Sequence, residues 1–373
     1  MSVASKIPPL RFKGFEGAWE AKRLERLVKK RNESAESGDV PKLEYEDVVS
    51  FEGVLKRSLD QLYVVKRGTS FYIGDVLYGK LRPYLGNWFL APFNGVAVGD
   101  WWVLKPDGID SECLYALIQT EAFQVAANQS TGSKMPRADW NLVSETLYSI
   151  PLKIGEQQKI GSTFRSLDAL IADRESAVEK LQTLKKAMLE KMFPCAGAKV
   201  PEARFTGFDV EWKKKRLGDV LKIGNGKDYK HLEPGNVPVY GTGGYMASVA
   251  VALTHGPSVC IGRKGTIDNP QYLEGAFWTV DTLFYTYGYN EIDAYWLYCQ
   301  FKRIPWRMYN EASGVPSLSK MIIEEVEILV PSLPEQRKIG AYFRSLDALI
   351  SARQEEVGKL KDLKKALLVR MFV

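Results

Sequence analysis

Two short segments carry residue types that could hold a methyl donor and position an adenine. Residues 239–244 read Val-Tyr-Gly-Thr-Gly-Gly, and residues 269–272 read Asn-Pro-Gln-Tyr, close to an Asn-Pro-Pro-Tyr motif that grips an adenine amino group. Both fail on context. A cofactor-binding turn opens a helix, and no helix-forming stretch follows Gly244. The second segment lacks its second proline, and only about 28 residues separate the two, too few for the intervening strands and helices of a methyltransferase. The sequence also has no phosphate-binding Gly-x-x-x-x-Gly-Lys loop, no Gly-x-Ser-x-Gly elbow and no His-Glu-x-x-His pair. Patterns of the Asp…Glu-x-Lys nuclease type arise by chance in any charged chain. Two histidines, His231 and His255, exclude a histidine-rich metal site. Four cysteines (Cys113, Cys195, Cys260, Cys299) lie far apart with no Cys-x-x-Cys pair, which argues against a zinc ribbon and gives no reason to invoke disulfides. The residues predict a chain that does no chemistry itself.

Basic residues beside aromatic and small polar ones suit a different task. Cations neutralise phosphates, small polar groups fix register, and Arg or Lys can reach guanine edges in the major groove. Lys80, Arg82, Tyr84, Lys134 and Arg137 form such a set in the first half. Lys227, Lys230, Tyr240, Thr242, Arg263, Lys264 and Lys320 form another in the second. Any one of these read singly is an ordinary solvated charge; as a set they predict DNA contact. The run 213–216, Lys-Lys-Lys-Arg, is ambiguous between plain surface and phosphate contact.

The elements that must carry these residues are written twice. Residues 156–193 and 335–372 are identical at 24 of 38 positions, at a constant offset of 179. A weaker echo precedes each copy: Arg11, Phe12, Gly14, Phe15, Trp19, Lys22, Arg23 and Leu24 recur as Arg204, Phe205, Gly207, Phe208, Trp212, Lys215, Arg216 and Leu217, at an offset of 193. The difference of 14 makes the first half longer between its echoes. Placing Phe164 at heptad position a puts Leu167 at d, Ile171 at a, Val178 at a, Leu181 at d, Met188 at d and Met192 at a. Phe343, Leu346, Ile350, Val357, Leu360, Leu367 and Met371 repeat the pattern. The seam predicts two long amphipathic helices, entered after Pro151 and Pro331, with Pro194 stopping the first. Arg174 and Arg353 at d, and Lys185 and Lys364 at a, interrupt it. Such groups either face a carboxylate or lay their stems across the seam with the charge in water. Phe164, Leu167, Ile171, Arg174, Phe343, Leu346, Ile350 and Arg353 are the predicted partner-binding residues.

Between the repeats the chain reads as short strands with glycine and aromatic punctuation, at 71–84, 97–104, 237–245 and 259–266. Each half adds a helical stretch, 111–128 or 292–309, and a polar loop, 130–137 or 312–320. The expected class is α+β: two globular mixed domains separated by two long antiparallel coiled-coil helices, with an internal pseudo-twofold repeat. The domains are placed at 1–150 and 195–330, and the spacer helices at 151–194 and 331–373. A helix of 38 residues rises about 57 Å, which predicts a dumbbell if the helices pair. Length 373, 45% hydrophobic and 26% charged residues fit a soluble two-domain protein. Apolar runs break well before the ~18 residues a membrane span needs, the first residues show no signal-peptide core, and cytoplasm is the default. Net charge +6 fits an acidic partner without requiring one.

The repeated Glu-Gln-x-Lys-Ile-Gly…Phe-Arg-Ser-Leu-Asp-Ala-Leu-Ile helices, the opening Arg-Phe-x-Gly-Phe…Trp…Lys-Arg-Leu of each half, 74–85 in the first head and 238–245, 260–266 and 277–282 in the second resemble the specificity subunits of type I restriction–modification systems, over nearly the whole chain. The resemblance implies a non-catalytic subunit with two target-recognition domains, each reading one half of a split, asymmetric duplex sequence. Its helices would act as a spacer and dock two methyltransferase subunits, and restriction subunits could join. It implies no cofactor in this chain: S-adenosylmethionine belongs to the methyltransferase partner, ATP and magnesium to the restriction partner. A stand-alone DNA-modifying enzyme and a coiled-coil scaffold without sequence-specific DNA binding are the competing readings. Gly161 and Gly340, inside the first turns of each helix, are expected to let a partner subunit approach closely.

Overall fold

The protein, described from a computed structural model, is defined over residues 7–129 and 135–373, so the candidate Lys134 lies outside the described residues. The chain divides into two compact units, Met1–Glu175 with Glu355–Val373, and Ser176–Gln354. Each division falls inside a long helix.

In the first unit, strand Glu20–Arg23 pairs antiparallel with Leu147–Ile150, which ties the two ends of the head together. Between them lie two four-stranded sheets. One runs Val28–Arg31, Trp101–Pro106, Val76–Gly79, Trp88–Leu90, with every pair antiparallel. The other runs Ser34–Glu36, Arg67–Phe71, Gly95–Ala97, Lys42–Leu43, and its last pair is parallel. Three short helices follow: α1 (Ser111–Leu117), α2 (Glu121–Ala127) and α3 (Trp140–Glu145), before the long α4 (Ile154–Lys191).

The second unit repeats this plan. Lys213–Arg216 pairs with Glu327–Val330, around α5 (Leu217–Val220) and two more four-stranded sheets. The first runs Lys222–Asn225, Leu283–Tyr287, Ser258–Gly262, Gln271–Leu273. In the second, Pro234–Gly241 lies parallel to Ala276–Thr279, with Gly244–Val249 and Thr254–His255 on the edges. Helices α6 (Ala294–Arg303), α7 (Lys320–Glu325) and the long α8 (Leu333–Met371) complete it. The strands Val76–Gly79 and Ser258–Gly262 are buried at every residue. Strands covered on both faces are apolar throughout rather than alternating. No described helix is long and apolar enough to cross a membrane.

Local chemistry sets two boundaries that periodicity missed. The expected helix over 111–128 breaks at Thr120, whose hydroxyl accepts the Phe123 N–H and caps α2. The stretch 292–309 is helical to Arg303, then Pro305 precedes a separate single turn, Trp306–Tyr309. The segment 237–245 is a hairpin, with Gly244 at φ +108° in its turn.

The long helices run antiparallel within each unit. In the first, Phe164 packs in the core with Met371 and Phe372; in the second, Phe343 packs with Met192 and Phe193. Polar seam residues Lys364, Arg174 and Lys185 have carboxylate partners on the other helix. Lys364 Nζ meets Asp168 at 2.6 Å and Arg174 Nε meets Glu356 at 3.0 Å in the first unit, and Lys185 Nζ meets Asp347 at 2.5 Å in the second. Lys185 and Lys364 are repeat equivalents, as are Asp347 and Asp168, so one ion pair is built twice. The residues assigned to partner binding lie on this seam. Phe164, Leu167, Ile171, Phe343, Leu346 and Ile350 are all at most 8% exposed. They close the seam of this chain and have little surface left for a second protein. Arg174 is likewise engaged at home with Glu356.

The Glu-Gln pair opening each repeat explains the earlier echo. Glu156, 1% exposed, accepts from Arg11 Nε at 2.6 Å, Arg11 Nη2 at 2.7 Å and Trp19 Nε1 at 3.2 Å. Glu335 accepts from Arg204 at 2.7 and 2.8 Å and from Trp212 at 3.3 Å. Gln157 donates to the Pro151 carbonyl and accepts the Asp110 N–H; Gln336 does the same with Pro331 and Asp293. Asp110 and Asp293 in turn cap α1 and α6. Each long helix is thereby locked to its own head.

Gly161 and Gly340 belong to this lock. A Cβ on Gly161 would sit 2.6 Å from the Cys113 nitrogen, and one on Gly340 2.5 Å from Asp293 Oδ1 and 3.1 Å from the Trp296 nitrogen. They admit the N-termini of α1 and α6, not a partner subunit. Gly161→Ala is therefore expected to destabilise by about 1–3 kcal/mol through overpacking, read by denaturant unfolding. Helix propensity alone would stabilise by ~1 kcal/mol, so a gain in stability would refute the close-approach account.

Candidate nucleic-acid interface

In the first head, the buried strand Val76–Gly79 delivers Lys80 to the surface at a turn held by backbone bonds. Lys80 N–H donates to the Asp100 carbonyl at 2.9 Å, Arg82 N–H to Pro136 at 2.7 Å, and Ala138 N–H back to Lys80 at 2.8 Å. Arg82 adopts φ +48°, turning the chain into the single turn Pro83–Leu85 that presents Tyr84, 55% exposed. Tyr45 props the turn from below. Its hydroxyl donates to the Asp100 carbonyl and accepts the Leu81 N–H at 3.2 Å, and its ring meets Trp101 edge-on at 4.6 Å. Burial pushes the Tyr45 hydroxyl up to about 12, so it remains a donor at neutral pH. The Asp100 carboxylate meets Lys80 Nζ at 3.6 Å and Arg137 Nη2 at 3.2 Å. Lys30 stands over the Trp140 ring at 4.8 Å, its pKa lowered by burial and then by the charge of Lys80.

The second head builds the same turn with other side chains. Arg263 N–H donates to the Thr282 carbonyl at 2.8 Å, Gly265 N–H to Pro316 at 2.8 Å, and Leu318 N–H to Arg263 at 2.9 Å. Lys80, Leu81 and Arg82 thus correspond to Arg263, Lys264 and Gly265, the last again in the left-handed region at φ +94°. Leu81 bridges to Arg137 and Lys264 to Ser317. Arg263, Lys264 and Lys320 line a cleft of about 840 Å³ with Asn225, Asp281, Thr282, Phe284 and Ser319. Arg263 stands over the Phe284 ring at 5.9 Å. Neither Arg263 nor Lys264 forms an ion pair among the described residues.

The predicted sets are therefore partly assembled. Lys80, Arg82, Tyr84 and Arg137 share one turn, and Arg263, Lys264 and Lys320 share one cleft. Thr242 lies beside that cleft: a Cβ on Gly265 would be 4.0 Å from its Oγ1. Tyr240 is half-buried against Tyr245, with ring centroids 6.3 Å apart. Lys227 and Lys230 are exposed on the loop after Asn225, outside the cleft lining. Lys30, Tyr45, Asp100, Asn225 and Asp281 escaped sequence reasoning, which searched for cations in loops. Asp100 left one legible trace, as the acid closing the Gly-Asp turn before Trp101.

The segments that suggested a methyltransferase have structural roles here. Gly241 and Gly244 turn a hairpin whose carbonyl at Gly241 accepts Gln271 Nε2 at 2.8 Å. The Tyr272 hydroxyl donates to Glu274 at 3.0 Å while its ring packs on Tyr295, and Asn269 accepts from Lys302 at 2.9 Å.

A head of two small sheets built twice, each joined to a long repeated helix, is a fold found in solved type I restriction–modification proteins. The S subunit of the type I system of M. genitalium superposes with a TM-score of 0.69 at 19% identity, covering 99% of both chains. A chain from a structure describing complex assembly and conformational transition of the type I R-M system gives 0.54 at 20% identity, covering 94% of this chain and 96% of that one. Residues 209–359 match the family described as type I restriction modification DNA specificity domain. The resemblance read from the repeats is borne out: residues 209–359 match this family, and the chain has the fold of the solved type I S subunit. Over 158 residues it is 25% identical to the EcoprrI specificity subunit of Escherichia coli, covering 39% of each chain. Over 128 residues it is 26% identical to the EcoDI specificity subunit of the same organism, covering 33% of this chain and 28% of that one. These matches span well under half of the curated relatives' lengths.

Proposed function

We propose that the chain is the non-catalytic DNA-recognition subunit of a type I restriction–modification complex, each head reading one half of a bipartite, asymmetric duplex target. The observation that carries this reading is the turn built twice, with Lys80-Leu81-Arg82 on one scaffold and Arg263-Lys264-Gly265 on the other. A common backbone with divergent cationic side chains suits two different half-sites. In this reading S-adenosylmethionine is held by methyltransferase subunits, ATP and magnesium by restriction subunits where these join, and the complex works in the cytoplasm. If the heads address one face of the duplex, the half-sites lie about one helical turn, ~10 bp, apart.

Partner docking needs residues that the fold does not consume. Leu170 and Leu349 are repeat equivalents, 38% and 43% exposed, and Leu184 and Leu363 are another such pair, 42% and 48% exposed. Identical leucines kept on the surface in both copies suit two copies of one partner, one methyltransferase subunit per stripe. Leu170→Asp with Leu349→Asp should leave unfolding unchanged while abolishing co-purification with the methyltransferase. Full retention of the complex would move docking elsewhere.

The reading as a whole is tested by co-expressing the chain with the type I methyltransferase encoded beside it in a naive host and mapping methyladenine across the genome. A gapped asymmetric motif that vanishes without this chain is the expected result. Methylation that persists without it, or never appears with it, would overturn the reading in favour of a scaffold.

A further inference from the structure

We infer that Asp100 is a positioning residue of the first head: it brackets Lys80 and Arg137 together, so that binding there depends on base contacts rather than on phosphate attraction alone. This rests on the DNA-recognition reading above and deepens it.

Besides Arg82 within the turn itself, three cations from separate segments converge here. Lys80 leaves the central strand, Arg137 arrives on the far loop, and Lys30 stands behind them over Trp140. Unopposed, they would repel one another and attract any phosphate, because the cationic contribution to DNA affinity is independent of sequence. Asp100 opposes them from beneath. Its side chain is 26% exposed, against 32% for Lys80 and 55% for Arg137. Arg137 gives only Nη2 to the carboxylate. The rest of the guanidinium keeps its donors for a base edge. Exposed ion pairs of this kind are weak, so a ligand can compete for the cations without dismantling the head.

The second head supplies the comparison. The residue equivalent to Asp100 is Thr282, whose carbonyl keeps the backbone role by accepting from Arg263 N–H at 2.8 Å. Its side chain carries no charge. The adjacent Asp281 lines the cleft, yet Arg263 makes no ion pair with it among the described residues. The first head thus ties its carboxylate to two of its cations, whereas in the second the carboxylates of Asp281 and Glu311 line the cleft without an ion pair to Arg263 or Lys264 among the described residues. Discrimination against wrong sequence at the first half-site owes more to Asp100 than any equivalent group contributes at the second.

The test uses the full chain assembled with its methyltransferase subunits and duplexes with and without the target, followed by fluorescence anisotropy across a salt series. Asp100→Asn keeps the shape and removes the charge. It should tighten binding to duplex lacking the target by roughly threefold to tenfold, and steepen the log–log salt slope by up to about 0.9. The ratio of target to non-target affinity should fall by a similar factor. Thr282→Asp should act in the opposite sense, flattening the slope and weakening non-target binding. An Asp100→Asn protein with unchanged slope and ratio overturns the assignment while target-specific binding by the parent sustains the recognition reading. A uniform loss of affinity at unchanged slope would reduce Asp100 to a structural support and also overturn it. A parent complex with no target preference at any salt would sink both.

Discussion

Glu156→Ala is expected to cost the first unit about 3–5 kcal/mol, the range for breaking a buried charge pair by removing one partner. The Glu156 carboxylate accepts two bonds from Arg11 and one from Trp19, and its side chain is 1% exposed against 14% for Arg11. Without it Arg11 Nε and the indole N–H lose their acceptor, leaving Arg11 only the carbonyls of Gly17 and Glu16, and an unpartnered buried group pays its full desolvation cost. Arginine stays charged near neutral pH, so deprotonation gives the guanidinium no escape once its carboxylate is removed. Denaturant unfolding followed by intrinsic tryptophan fluorescence reads the effect. Glu335→Ala should act equally on the second unit, where Arg204 and Trp212 lose the same acceptor. A loss below ~1 kcal/mol in both would show that water or a neighbouring group replaces the carboxylate.

Replacing Arg263 and Lys264 together with alanine should have the largest effect on function. Both are exposed and line the second-head cleft, so folding should be unaffected. If each contacts one phosphate, the log–log salt slope of DNA binding falls by about 1.8 and affinity drops on the order of 10- to 100-fold at moderate salt. If either reads a base, about 1–3 kcal/mol of discrimination at that position is lost as well. In the co-expression experiment, methylation at the bipartite motif should collapse. Unchanged affinity and unchanged salt dependence would remove this cleft from the interface.

Much of the architecture is legible in the sequence because repetition and periodicity are local properties. The identity between 156–193 and 335–372 announces two equivalent units, and the heptad from Phe164 predicts the long helix found at Ile154–Lys191. The order of strand, helix and loop in each head follows from β-rich runs, capping residues and turn glycines. Lys80 and Arg82 are two residues apart, and Arg263 and Lys264 are adjacent, so their grouping at a turn is visible before folding.

What covers an apolar face is not written in its period. The pattern of Phe164, Leu167 and Ile171 fits a second protein as well as a second helix of the same chain, and tertiary structure alone shows the seam closed at home. The same holds for Lys185 and Lys364, whose carboxylates lie on the opposite helix, more than 160 residues away in the case of Lys185 and Asp347. Glu156 reads as an ordinary acid at a helix start until folding brings Arg11 to it across 145 positions. Gly161 reads as a helix flaw until the Cys113 backbone is seen against it. The sequence by itself determined that there are two heads, two long helices and two cationic turns, since each rests on neighbours within a few residues. The tertiary structure decided which charges are neutralised, which apolar faces are already occupied and which glycines are contact points. Those depend on long-range proximity, for which a single sequence carries no signal.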